Sequence, residues 1–209
     1  MSTRAEQKLT TRQRILDAAL QLSGERGLSS VSLRAVAAKA GIAPATFYRH
    51  FVDMDALALA LVDEVGISLR ALVRDARMKV FESGSRDIIG NSIRTFMQVA
   101  EENKDLFRLL RGEGAGSTPT FRSAIEKETE RFADDVADDL RRAAKSTQRE
   151  MVHVGLAAEA MVTLAFNLGG AALDLPPAER EAAAERIIIE VHMVMRGSQS
   201  LAITPRSWG

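Results

Sequence analysis

The stretch Ser32-Leu33-Arg34-Ala35-Val36-Ala37-Ala38-Lys39-Ala40-Gly41-Ile42-Ala43-Pro44-Ala45-Thr46-Phe47-Tyr48-Arg49-His50-Phe51 decides the fold. Leu33, Val36, Ala37 and Ala40 recur at i, i+3, i+4 and i+7, which predicts one apolar face of a short helix over 33–40. Ser32 stands at its N-cap and Gly41 stops it. A second short helix is predicted over 44–51, with Pro44 at its first position, where a fixed φ and a missing N–H cost nothing. Two short helices joined through Gly41-Ile42-Ala43 form a helix-turn-helix pattern, because the sharp turn needs the left-handed backbone that glycine adopts. With Leu33, Val36, Ala37, Ala40, Ile42, Phe47 and Phe51 facing inward, Ala45, Thr46, Tyr48, Arg49 and His50 are left to face out. The small start Ala43-Pro44-Ala45-Thr46 suits close approach to base edges in a major groove. Hydroxyls and cations on Thr46, Tyr48, Arg49 and His50 suit phosphate oxygens. The predicted DNA-binding set is Ser32, Arg34, Ala43, Pro44, Ala45, Thr46, Tyr48, Arg49 and His50.

Outward from this stretch the helical period continues almost everywhere. Ile15, Ala18, Ala19 and Leu22 mark a first helix over 11–26, which ends at Gly27. Asp53 caps a long fourth helix over about 54–82. Ile89, Ile93, Phe96, Met97 and Ala100 line a fifth, and Asn103 opens a short sixth. Thr118-Pro119 starts a long seventh with an apolar stripe of Phe121, Ile125, Phe132, Val136 and Leu140. An eighth is expected from about 149 to 173, and a ninth from Pro177 to near 200. Ile187-Ile188-Ile189 is the best β signal in the chain, but its length and flanks favour helix. The tail Thr204–Gly209 is expected to fray. The expected fold is all-α with about nine helices. The expected boundary lies near residue 52, with short helices and the helix-turn-helix pattern in 1–52 and long helices in 53–209.

Composition agrees with a globular protein and removes several alternatives. Of 209 residues, 46% are hydrophobic and 27% charged, enough for a core. There is no cysteine, which removes disulfides, thiolate nucleophiles and Cys-ligated zinc. The polar, basic N-terminus is not a secretory signal. The longest unbroken apolar run, Ala56–Val62, is far short of a membrane span, so a cytoplasmic protein with no membrane partner is expected. Formal net charge is zero, yet residues 1–52 hold eight Lys/Arg against three acids. A basic end on an acidic body points to one segment meeting a polyanion.

Residues 10–63 resemble the DNA-binding end of the TetR family of bacterial one-component regulators. The resemblance rests on Ile15-Leu16-Asp17-Ala18-Ala19, Gly27, Ser32 to Ala37, Gly41-Ile42, Thr46 to Phe51, Asp53 and Leu57. It implies a three-helix head, an all-α ligand-binding body, a homodimer and a double-stranded palindromic operator. The stretch Gly41 to Leu57 with Val62-Asp63-Glu64 is similar to the fatty-acid-biosynthesis repressors of the FabR and DesT type. So are Phe107 to Arg111, Pro119 to Arg122 and Ala158 to Thr163. That similarity implies sensing of long-chain acyl-CoA and control of the balance between unsaturated and saturated fatty acids. Many TetR relatives carry Lys-Gly where Pro44-Ala45 stands, and Lys at the place of Met54, so Met54 is left out of the DNA-contact set.

Other residue groups read more plainly. Asp134, Asp135, Asp138 and Asp139 lie within a turn of Arg131, Arg141 and Arg142, a partly neutralised helix face rather than a metal site. His153 and His192 have no His or Cys partner at ligand spacing, so no metal is expected. Gly112-Glu113-Gly114-Ala115-Gly116-Ser117 lacks the lysine and the preceding strand of a phosphate loop. Without paired histidines, cysteine or a phosphate loop, neither an enzyme nor a cofactor is expected. The candidate ligand lining is Phe96, Phe107, Phe132, Met161, Ala165 and Phe166, with Arg111, Arg108 or Arg122 meeting the phosphates of CoA. Thr163 and Asn167 stand at i, i+4 in an apolar helix, available to a ligand, to a dimer seam or to one another. The last two helices, rich in small residues (Gly155, Gly169, Gly170, Ala171, Ala172), are the expected homodimer seam. The function expected is a homodimeric repressor responding to acyl-CoA. The alternative is a TetR-type regulator of an efflux or catabolic operon that senses another apolar small molecule.

Overall fold

The computed structural model describes residues 4–84, 87–111, 119–148 and 150–200, and among these the regular structure is entirely helical. We label the helices α1 (Arg4–Arg26), α2 (Leu33–Lys39), α3 (Pro44–Phe47), α4 (Met54–Glu82), α5 (Ile88–Glu102), α6 (Lys104–Leu110), α7 (Pro119–Thr147), α8 (Val154–Ala172) and α9 (Pro177–Ser200). A short 3-10 turn, Leu28–Ser30, links α1 to α2. Among the described residues the chain adopts the expected all-α fold of about nine helices. The loop 112–117, the cap Thr118 and the tail 204–209 lie outside the described residues.

The chain divides into two compact units. The first comprises residues 1–72 and 101–128, so it holds α1 to α3, the start of α4, α6 and the start of α7. Its core is built on Ile15, Leu16 and Ala19 of α1, Val36 and Ala37 of α2, Phe47 of α3, and Leu57, Leu61 and Leu69 of α4, all nearly fully buried. In α4, Leu57, Leu61, Val65 and Leu69 recur every fourth residue and form one continuous inner stripe. α6 packs against α1 and contributes the buried Phe107, Leu109 and Leu110. The second unit comprises 73–100 and 129–209. Its core draws on Phe96, Met97 and Ala100 of α5, Phe132 and Ala137 of α7, Ala158, Met161 and Val162 of α8, and Ile187, Ile188 and Val191 of α9.

Helix ends follow the expected chemistry where a polar cap is present. The Asp53 carboxylate accepts from the Ala56 N–H at 2.7 Å, capping α4. Asp87 does the same for α5, accepting from Gly90 at 2.9 Å. Three boundaries differ from the sequence expectation. α1 begins at Arg4 rather than 11, and Thr10 and Thr11 sit inside the helix with their hydroxyls donating to the carbonyls of Glu6 and Gln7. Regular α3 ends at Phe47 rather than 51, although turns continue from His50 N–H to Phe47 O and from Phe51 N–H to the same oxygen. α8 begins at Val154 rather than 149. His153 before it adopts a left-handed φ of 52°, and the Val152 N–H donates to Ser198 O of α9.

α8 carries a feature with no precedent in the sequence pattern: Ala165–Gly169 winds as a π turn within the helix. α8 is also long and apolar enough, by length and composition, to cross a membrane. One face of it, Ala157, Ala158, Met161, Val162, Ala165 and Phe166, is buried, and it packs extensively against α9.

Candidate nucleic-acid interface and effector site

The head interface starts with the turn between α2 and α3. The Ser32 hydroxyl caps α2 by accepting from the Ala35 N–H at 3.2 Å. α2 closes through Gly41 N–H to Ala38 O at 3.1 Å and Ile42 N–H to Ala37 O at 3.0 Å. This closure places Gly41 at φ 64°, the left-handed region that strains any residue with a Cβ. Arg14 of α1 donates to the carbonyl oxygen of Ala40, so a third helix pins the turn from behind. Beneath α3, Phe47 is fully buried and packs its ring 5.7 Å from that of Phe51. The guanidinium of Arg12 lies 5.1 Å over the Phe51 ring, a cation–π contact joining α1 to the far end of the same segment.

With Phe47 and Phe51 fixing one side, the opposite side of the segment is presented to solvent. Ala43, Pro44, Ala45, Tyr48 and Arg49 are exposed, and Thr46 is half-buried. Tyr48 is 61% exposed although its ring edge meets Phe47 at 5.8 Å, so the phenol projects outward from a supported base. Ser32 and Arg34 are exposed on α2. His50 is only half-buried, and its Nδ1 is enclosed with no hydrogen-bond partner among the described residues. Burial, and then the positive charges of Lys8, Arg49 and Arg12, hold its imidazole below the ordinary histidine range. A small, close-fitting helix start flanked by hydroxyls and cations can sit in a major groove and grip the backbone beside it.

The body residues expected to line a ligand site separate into two groups. Phe96, Phe132, Met161, Ala165 and Phe166 all belong to the second unit and all are buried. Phe132 meets Phe166 edge-on at 4.9 Å, and Phe166 meets Phe96 at 6.0 Å, so rings from α5, α7 and α8 form one chain of contacts. Phe107 and Arg111 belong to the first unit instead, with Phe107 fully buried in α6, the helix that packs on α1. Arg108 and Arg122 are in that unit too. Thr163 and Asn167 are exposed rather than forming a buried pair. Asp138 pairs with Arg141 at 2.7 Å, and Asp139 pairs with Arg142, which matches the neutralised helix face expected of that cluster.

Two charged pairs at inward helix positions were not foreseen. Glu128 of α7 is 3% exposed and is bound by Arg70 of α4 in the first unit. Arg77 of α4 donates from Nε to Asp139 of α7 at 2.7 Å in the second. A signal was available for both. Glu128 falls on the apolar stripe of Phe121, Ile125 and Phe132, and Arg77 falls between Val73 and Val80 at i+4 and i+7.

An all-helical chain whose basic end carries a supported helix-turn-helix defines a class, the DNA-binding transcriptional regulators. Comparison with known proteins narrows it. The profile described as "Bacterial regulatory proteins, tetR family" matches residues 15–61, and "Tetracyclin repressor-like, C-terminal domain" matches residues 85–195. The chain therefore belongs to the TetR family. Solved structures show the same fold at low identity. A candidate TetR-family regulator from Mesorhizobium loti is 20% identical, with TM-score 0.72, covering 92% of this chain and 98% of its own. One from Syntrophomonas wolfei is 18% identical with TM-score 0.71, covering 93% and 98%. Escherichia coli NemR in its reduced form is 17% identical with TM-score 0.70, covering 89% and 98%. TetR regulators bind DNA operators, dimerise and are soluble, and they are regulators rather than enzymes.

Proposed function

We propose that this TetR-family protein is a homodimeric repressor that responds to long-chain acyl-CoA and governs genes of fatty-acid metabolism. The observation that carries the reading is the contact chain Phe96–Phe166–Phe132, backed by Met161 and Ala165, which offers an extended apolar wall inside one compact unit. Each methylene laid against such a wall contributes about 0.8 kcal/mol, so a long chain supplies affinity without a polar anchor. The resemblance to fatty-acid-biosynthesis repressors supplies the choice of ligand class. The polar coenzyme stays near the surface.

The homodimer forms through α8 and α9. Leu156 is 59% exposed on α8, and Ile189 and Met193 are 54% and 66% exposed on α9, three large apolar side chains that a second copy would cover. A two-fold dimer sets two heads on a palindromic operator with half-sites about one helical turn apart or somewhat more. Ligand acts by favouring one arrangement of the heads over another, and equal affinity for both would shift nothing.

The test is an operator titration with palmitoyl-CoA and oleoyl-CoA side by side. The two ligands are expected to shift operator affinity differently, and Phe166→Ala or Met161→Ala to blunt that difference more than it weakens DNA binding without ligand. If the wild-type protein responds identically to both, or to neither, the fatty-acid reading fails. A regulator of an efflux or catabolic operon then takes its place.

A further inference from the structure

Arg77 is an unusual residue to find where it is. On α4 it occupies the stripe of the buried Val73 and Val80, and its side chain is 18% exposed. Asp139 satisfies one edge of the guanidinium, accepting from Nε at 2.7 Å. On the other edge, Nη2 is enclosed and meets no hydrogen-bond partner among the described residues. A guanidinium presents five N–H donors in a fixed fork and cannot discard them by losing its proton. An enclosed cationic donor without an acceptor is costly, and native interiors rarely leave one so.

The missing partner can be specified. Asp139 already neutralises Arg77 and is held in turn by Arg142. What Nη2 lacks is an oxygen acceptor, and a neutral carbonyl supplies it without bringing a second uncompensated anion into the interior. Where such a group would come from follows from α7. Asp139 and Phe132 are seven residues apart, two turns of helix, so they share one face and lie about 10 Å apart along the axis. Phe132 begins the contact chain to Phe166 and Phe96. Thus a polar end and an aromatic wall follow one another along a single helix face, all within one compact unit.

The middle of that wall is also the irregular part of α8. Phe166 lies in the π turn Ala165–Gly169, and a Cβ on Gly169 would stand 3.1 Å from both Met97 Sδ and Phe96 Cε1. π turns interrupt the regular helix ladder and gather at functional sites. The rings are packed against one another, and this turn lies directly beside them.

We propose that Arg77 anchors the effector: Nη2 donates to the carbonyl oxygen of an acyl group whose chain runs along Phe132, Phe166 and Phe96. The assignment rests on the reading of the body as an acyl-chain sensor and adds the residue that recognises the acyl function itself.

The experiment titrates the full-length protein calorimetrically with hexadecanoyl-CoA and with hexadecyl-CoA thioether. The second keeps coenzyme, sulfur and chain but has CH2 in place of C=O. Wild type is expected to bind the thioester about tenfold to a hundredfold tighter, the range of a charge-assisted hydrogen bond. Arg77→Met should reduce thioester binding to the thioether level, and Arg77→Lys should narrow the gap. Asp139→Asn removes the ion pair but leaves the donor, and should keep the preference. A purely structural Arg77 predicts instead that Arg77→Met and Asp139→Asn behave alike and that neither changes the ratio. Equal affinities in wild type, or a ratio that survives in both Arg77 variants, overturns the proposal while acyl sensing stands. If wild type binds neither ligand, acyl sensing falls and this assignment with it.

Discussion

Replacing Gly41 by alanine tests whether the turn between α2 and α3 is held as tightly as its geometry requires. Gly41 sits at φ 64°, where an L-residue pays roughly 1–2 kcal/mol. The added Cβ would also stand 2.9 Å from Arg14 Nη2, the donor that binds the Ala40 carbonyl. That contact is with the end of a flexible side chain, so Arg14 can retreat, but only by weakening a charge-assisted bond of about 1.5–3 kcal/mol. Partial loss of that bond plus the backbone strain gives an expected destabilisation of about 2–3 kcal/mol, a large share of the 5–15 typical of a domain. Gly41→Asn separates the two contributions. Asparagine tolerates the left-handed region better but carries the same Cβ, so it should lose about 1 kcal/mol less. Urea unfolding at fixed protomer concentration measures stability, since dimerisation makes it concentration-dependent. Operator affinity should fall by tenfold or more in Gly41→Ala, because the turn aims α3. An alanine variant within 0.5 kcal/mol of wild type, with full operator affinity, would refute the reasoning.

Three further outcomes are expected. Glu128→Ala removes the buried partner of Arg70 and should cost about 3–5 kcal/mol by urea unfolding, whereas an Arg70→Leu/Glu128→Leu double variant should stay closer to wild type. Operator binding should strengthen as pH falls, because nearby DNA phosphates raise a His50 pKa that burial, Lys8, Arg49 and Arg12 hold low in the free protein. Protonation then favours the complex: the gain is complete below the free-protein value and is lost as pH rises through the bound value. His50→Gln should flatten the profile in an anisotropy titration across that window. Arg49→Ala should lower the salt slope of operator binding by about one unit, the loss of one phosphate contact.

The head could be read from sequence because its signals are local. The spacing of Leu33, Val36, Ala37 and Ala40, the Gly41 turn and Pro44 at N1 each act within a few residues, and each is realised. The first turns of α1 escaped because residues 4–10 have no apolar face, and Leu9 is 68% exposed. Helix there rests on propensity, which leaves no periodic trace. The body was less open to inspection. Phe107 resembles Phe96 as an apolar residue on a helix, and only the packing of α6 on α1 assigns it to the other unit. The π turn in α8, whose Gly169 and Phe166 lie against Phe96, has no counterpart in the local pattern. Arg77 and Glu128 were passed over because charge normally marks the surface, although both interrupt apolar stripes at inward positions.

The central claim is that the exposed side of the α3 segment reads the operator. Its most direct test is the affinity of full-length protein for its operator duplex, at fixed salt, with Thr46→Ala and Tyr48→Phe compared with wild type. Tyr48 is exposed and Thr46 half-exposed over a base fixed by Phe47 and Phe51, so helix content and unfolding midpoint should be unchanged. Each variant should bind more weakly by about 1–3 kcal/mol, the value of one lost contact. Folded variants that both bind the operator as tightly as wild type would contradict the assignment of this surface.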